Sequence, residues 1–272
     1  MKLLLQGAVL FAALATALAP QAALAQSDQA AIARQLRGHD PAEWYRAAAA
    51  ARAVDPKNMG QELRGALISA LERMNGVYTQ RWKAARRGEV LEPLRAPEIR
   101  LELVRIVAKL EDPHAIPALA GALETGLRTA RALAAFGEPA ASVVVDVVTT
   151  TEGGPAPPTM AGLVALRFMI ERADVSPLSA STVEQIRRAA KQRLTGEQPE
   201  IVLWAAIDLA VALDEPDLER IVQALATDRG AVIAKGITDP SLIDATQKRA
   251  RDRLAGIPPM PRWDRVGVQS PF

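Results

Sequence analysis

Apolar side chains return at offsets of three, four and seven after three separate acid–proline steps. Ile116, Leu119, Ala120 and Leu123 follow Asp112-Pro113; Ala140, Val143, Val144 and Val147 follow Glu138-Pro139; Leu218, Ile221, Val222 and Leu225 follow Glu215-Pro216. This spacing puts each set on one stripe of an α-helix. The step ahead of each stripe is itself a helix start, an acid at the N-cap with proline at the first helical position, where no backbone N–H is missed. Seven such steps punctuate the chain, the others being Asp40-Pro41, Asp55-Pro56, Glu92-Pro93 and Asp239-Pro240.

Read with these markers, the chain predicts helices and almost nothing else. A short helix over residues 26–38 is followed by one started by Asp40, to about Val54, and one started by Asp55, to about Met74. Asn75-Gly76 reads as a stop, Val77–Gly88 as a basic helical segment, and Glu89–Ala96 as a connection. Pro97–Leu110, with Leu103, Ile106, Val107 and Leu110 on one face, pairs with Pro113–Glu124. Leu127–Phe136 and Pro139–Thr149 repeat that plan 26 residues later (138 − 112). Beyond a Gly/Pro loop at Glu152–Pro158 come Met160–Arg172 and Thr182–Leu194, the latter capped by Ser179 or Ser181, then Glu200–Leu213 and Pro216–Ala226. A weaker unit over Asp228–Ala255 ends the pattern, with Asp239 capping its second helix. Val143–Val148 is β-branched, but its position behind a cap assigns it to a helix. Recurring helical hairpins of this kind predict an all-α fold, an α-solenoid of about five hairpins over residues 26–255.

Composition adds a location. Lys2 precedes an apolar run from Leu3 to Leu18, Pro20 breaks it, and Ala23-Leu24-Ala25 fits a small-x-small cleavage site, so residues 1–25 read as a signal peptide cut after Ala25. The mature chain is then expected in the periplasm or outside the cell, with no transmembrane segment. There is no cysteine, which excludes disulfides and a lipidated cysteine. Removing the leader takes one charge, Lys2, and leaves 32 Lys and Arg against 31 Asp and Glu, a balance that gives no footprint for nucleic acid.

Catalytic chemistry finds no motif. The two histidines, His39 and His114, lie at separate helix starts, and no metal-ligand spacing, nucleophile elbow or phosphate loop occurs. The acidic run Asp214–Glu219 sits at a helix start, where carboxylates complement unpaired N–H groups. No enzyme, cofactor or metal is expected. Binding surfaces are the alternative. Arg187, Arg188, Lys191, Arg220 and Gln223 fall between the apolar positions of second helices and would line a shared groove. Tyr78, Trp82 and Arg86 belong to an aromatic–basic run suited to polyanions or anionic lipid, or to closing the end of the core. Trp263 follows a proline-rich segment in an extended tail, residues 256–272, either docking in a partner or covering the last hairpin. Arg105, Arg131, Arg167 and Asp208 each lie seven residues before an acid (Asp112, Glu138, Asp174, Glu215), a position that points away from the apolar face and predicts an outward row of charge. The helix of Asp208 is apolar on nearly all sides; if it is sandwiched, Asp208 needs a partner, and Arg167 is the candidate.

The run Leu110-Glu111-Asp112-Pro113-His114-Ala115-Ile116-Pro117-Ala118-Leu119 resembles the turn and second helix of a HEAT repeat, of the short bacterial kind related to phycobilin lyases. Leu133-Ala134-Ala135-Phe136-Gly137-Glu138-Pro139 and Leu213-Asp214-Glu215-Pro216 resemble the same turn, and the likeness is best over residues 97–150 and 199–227. The resemblance implies a right-handed superhelix acting as a scaffold for a protein or peptide partner. A lyase-like or chaperone-like accessory of a modifying enzyme is a second implication. A module for cell wall or anionic lipid, resting on Tyr78–Arg87, is a third reading.

Overall fold

The computed structural model describes residues 28–90, 98–150, 156–173 and 176–258; the leader, the Glu92-Pro93 step, Gly153-Gly154, Asp174 and Trp263 lie outside them. The described residues are all helical, without a strand. They fall into two compact units, one ending at Leu110 and the other starting at Glu111.

In the first unit, α1 (residues 28–37) and α2 (Pro41–Arg52) precede a 3₁₀ turn at Pro56–Asn58, a long α3 (Gln61–Arg86) and α4 (Glu98–Val107). Leu36, Ala47, Ala51, Leu67, Leu71, Ile99, Leu103 and Val107 form its fully buried core, with α4 packed on α2 and α3. Arg64 ties the connection down by donating to the carbonyls of Met59, Pro56 and Leu110 at 3.0, 2.7 and 3.2 Å. The expected stop at Asn75-Gly76 does not occur: α3 runs through it. Asn75 is buried, and its Oδ1 accepts from Arg100 Nε at 2.9 Å, so the amide that would compete for backbone is occupied by α4.

The second unit opens with short pieces. The expected helix Pro113–Glu124 is three elements, a 3₁₀ turn at Pro113–Ala115, α5 (Ile116–Ala120) and another 3₁₀ turn at Leu123–Thr125. Pro117 cannot donate to the carbonyl of Pro113, so the first turn closes tightly, and Gly126 at φ 104° ends the segment. Then follow α6 (Leu127–Phe136), α7 (Glu138–Thr150), α8 (Ala156–Glu171), α9 (Ala180–Thr195), α10 (Glu200–Leu213), α11 (Pro216–Thr227), α12 (Arg229–Ile233) and α13 (Pro240–Leu254). α8 starts earlier than its apolar pattern, because Pro157 and Pro158 occupy a first turn that needs no N–H. Ala140 and Val144 are buried as the spacing predicts, with Ala141, Val145 and Val148 beside them, while Val143 and Val147 are half-buried, since α7 packs on α8 and α9 as well as α6. α8 touches α6, α7 and α10; α10 touches α8, α9, α11 and α13. Helices enclosed on so many sides must be apolar nearly all round, as both sequences are.

The acid–proline steps divide by side-chain length. Asp40, Asp55, Asp112 and Asp239 each accept a backbone N–H from the residue two positions on, at 2.9, 3.0, 3.0 and 2.7 Å. Glu215 makes no such bond, and Glu138 lies inside α7 with its carboxylate turned to α9. The extra methylene carries a glutamate past its own first-turn amides. The residue before the acid has a positive φ in the three turns quoted above, Glu111 at 50°, Gly137 at 62° and Asp214 at 53°, but Gly137, at ψ -130°, is not in the αL conformation that Asp214 adopts at ψ 41°.

Candidate functional site

α9, α11 and α12 enclose an open groove of about 530 Å³ in the second unit. Its floor is Ile221, Ala224 and Leu225 of α11 with Ala231 and Ala234 from α12 and the residue after it. Its edges are Lys191, Thr195, Asp217, Arg220 and Lys235. Ile221 is half-buried because α12 spans five residues and cannot cover the α11 stripe.

Of the groove residues expected from the sequence, Lys191 and Arg220 line it, and Arg187, Arg188 and Gln223 stand on the same two helices. Their charges are mostly paired. Arg187 donates to Glu184 at 2.7 Å and to Asp217 at 3.1 Å, and Lys191 meets Asp217 at 2.9 Å. Arg188 pairs with Glu184 at 3.2 Å while its side chain stays exposed. The hydrogen bond from Lys191 lowers the Asp217 carboxyl below its usual range, the bond from Arg187 does the same to Glu184, and Glu184 in turn raises the Arg187 guanidinium. Lys235 is held by the carbonyl of Thr195 at 2.7 Å. Arg220, like Lys235, makes no ion pair among the described residues, and it is held more weakly, reaching only the carbonyl of Pro216 at 3.3 Å. Lys235, Ala231 and Ala234 could not be placed from the sequence, because their position depends on the turn after α12 folding back. Ile221 of the groove floor is readable as a member of the α11 stripe.

The aromatic–basic run lies on α3, in the first unit. The guanidinium of Arg100 sits over Tyr78 at 4.4 Å and that of Arg86 over Trp82 at 4.8 Å. Cations of the chain itself thus cover one face of each ring.

The charged row is not uniformly outward. Arg105, in the first unit, and Arg131, in the second, are exposed; Arg105 pairs with Glu102 at 3.2 Å and Arg131 stacks on Phe168 at 5.7 Å. Arg167 and Asp208 are buried instead, because α8 and α10 have helices on the side where the seventh position points. Asp208 does have Arg167 beside it, at 3.5 Å, but its main partners come from α13: Arg249 donates through Nη2 at 2.5 Å and through Nε at 3.2 Å, and Arg253 Nε lies at 3.3 Å. The α13 arginines were not legible as partners, since nothing in the sequence puts α13 against α10.

No group of three or more His, Asp or Glu side chains is placed to hold a metal ion among the described residues, and none of their helices is long and apolar enough to cross a membrane. Searches against protein-family models, curated proteins and solved structures find no match to this chain.

Proposed function

We propose that the chain is an exported, non-enzymatic HEAT-like scaffold, a right-handed stack of helical hairpins, that binds an extended segment of a protein partner in the envelope along the groove of α9, α11 and α12. The observation that carries this reading is the groove itself: an apolar floor with Arg220 at its edge, making no ion pair among the described residues and only one long bond, at 3.3 Å, to a carbonyl. A segment with small or aliphatic side chains and one acidic residue suits it, the carboxylate meeting Arg220 in a bidentate pair. The positive φ at the residue ahead of both Asp112 and Glu215 supports the repeat, because a turn feature shared by dissimilar sequences is what duplicated hairpins keep. The apolar leader and its Ala23-Leu24-Ala25 site support export.

The test places a photo-crosslinking residue at Gln223 of the full chain in cells that export it. One dominant protein adduct is expected, absent from an Arg220→Glu version. Absence of any adduct, or an adduct indifferent to R220E, removes the groove as the binding site. A mature N-terminus at Gln26, read by mass spectrometry, checks the leader.

A further inference from the structure

We propose that Arg167 of α8 and Arg253 of α13, flanking Asp208, form a site for a small oxyanion, a phosphate or a carboxylate, independent of the α11 groove. The charge balance points there first. Three guanidiniums, Arg167, Arg249 and Arg253, converge on one buried carboxylate, and among the described residues the only other acid engaged is Glu171, 3.4 Å from Arg167 Nε and 43 % exposed. One positive charge is left over, and water screens Glu171 more than it screens the arginines. Burial pushes the Arg253 guanidinium below its usual value, with Asp208 only partly opposing. The buried cations are therefore not fully compensated.

Hydrogen bonding points the same way. Arg167 and Arg253 are 8 % and 9 % exposed, and the Nε of each is buried without a hydrogen-bond partner. Arg253 Nη1 is used by the carbonyl of Ile257 at 2.8 Å and Arg167 Nη1 by Asp208. The Nη2 of each makes no hydrogen bond among the described residues. The guanidinium of Arg167 lies over the ring of Phe168, at 4.8 Å, and that of Arg249 over the ring of Trp204, at 5.8 Å. Guanidinium edges with spare N–H groups are how arginine takes a planar or tetrahedral oxyanion. Asp208 holds the arginines together without saturating them.

The experiment titrates the full chain with sodium phosphate and with disodium succinate, each against sodium chloride at equal ionic strength. Wild type is expected to melt several degrees higher in at least one oxyanion, with the better one naming the preferred class. Arg253→Gln and Arg167→Gln are expected to lose at least tenfold in affinity, and Asp208→Asn, which removes the competing carboxylate, to gain about as much. Should these variants fold poorly, the side-chain Nε–H resonances of Arg167 and Arg253 in the wild type decide; they must move on titration. The proposal falls if wild type responds to oxyanions as it does to chloride, if the glutamine variants respond like wild type, or if the moving resonances lie elsewhere.

Discussion

Glu111 and Asp214 share a left-handed φ, 50° and 53°, each one residue before an acid followed by proline. Neither is the glycine such a position favours, whereas Gly137, at the matching place before Glu138, is. An L-residue there carries a strain of about 1–2 kcal/mol, less for aspartate. Glycine relieves it but gives back part through the freer unfolded chain. Glu111→Gly is therefore expected to stabilise by about 0.5 kcal/mol and Asp214→Gly by less. Gly137→Ala should destabilise, because its Cβ would also meet Ser176 Oγ at 2.7 Å. Urea midpoints at constant slope check all three; destabilisation by Glu111→Gly would contradict the strain argument.

A glutamate of α7 caps the start of α9. Glu138 accepts from Thr182 Oγ1 at 2.5 Å, and from the Ser179 N–H and hydroxyl at 3.0 and 2.7 Å. The Thr182 bond, then those of Ser179, hold its carboxyl below the usual glutamate range. With the folded value below the unfolded one, the stabilisation is whole above about pH 4.3 and drains as pH falls from there through the folded value. Glu138→Gln should be less stable than wild type at neutral pH, with the two melting curves approaching one another in acid. Asp217 and Asp239, also lowered, leave the variant some acid sensitivity. A gap between the curves that stays constant from pH 6 down to about pH 3 would count against this linkage.

Two helix glycines should respond oppositely to alanine. Gly76, inside α3, has nothing within 4 Å of the point where a Cβ would sit, so Gly76→Ala should add about 0.5–1 kcal/mol. Gly162, inside α8, would put its Cβ 2.7 Å from Val148 Cγ2. Val148 is fully buried and, being β-branched in a helix, has one rotamer to offer. Overpacking costs about 1–3 kcal/mol, enough to cancel or exceed the propensity gain. Thermal unfolding of the pair should shift in opposite directions.

What the sequence made legible follows from the range of the signal. Helix starts are local, so Asp40, Asp55, Asp112 and Asp239 were readable as caps, and all four bond as expected. Ends were less readable: Asn75-Gly76 has the composition of a stop, and only Arg100, 25 residues on, shows why α3 continues. The site was harder still. Lys191 and Arg220 could be found from helix phase, because each stands beside an apolar stripe. Lys235 and the Arg249–Asp208 pair depend on which helices meet, and helix phase carries no information about that.

Arg193 shows how such a long-range contact should weigh. Its Nε donates to the carbonyl of Val148 at 2.8 Å, and its Nη2 donates to the same oxygen. Val148 lies in the last turn of α7, where carbonyls lack an intrahelical donor, and Arg193 is 4 % exposed, so water cannot replace it. Arg193→Met keeps most of the apolar volume and leaves that carbonyl unsatisfied, at an expected cost of about 2 kcal/mol. Arg188→Met, five residues earlier on α9, removes an exposed pair with Glu184 and should change stability by no more than about 0.5 kcal/mol. Equilibrium unfolding of the two variants separates the cases: a similar small loss for both would mean that α7 finds another donor, and that the guanidinium of Arg193 is not what fastens α9 to it.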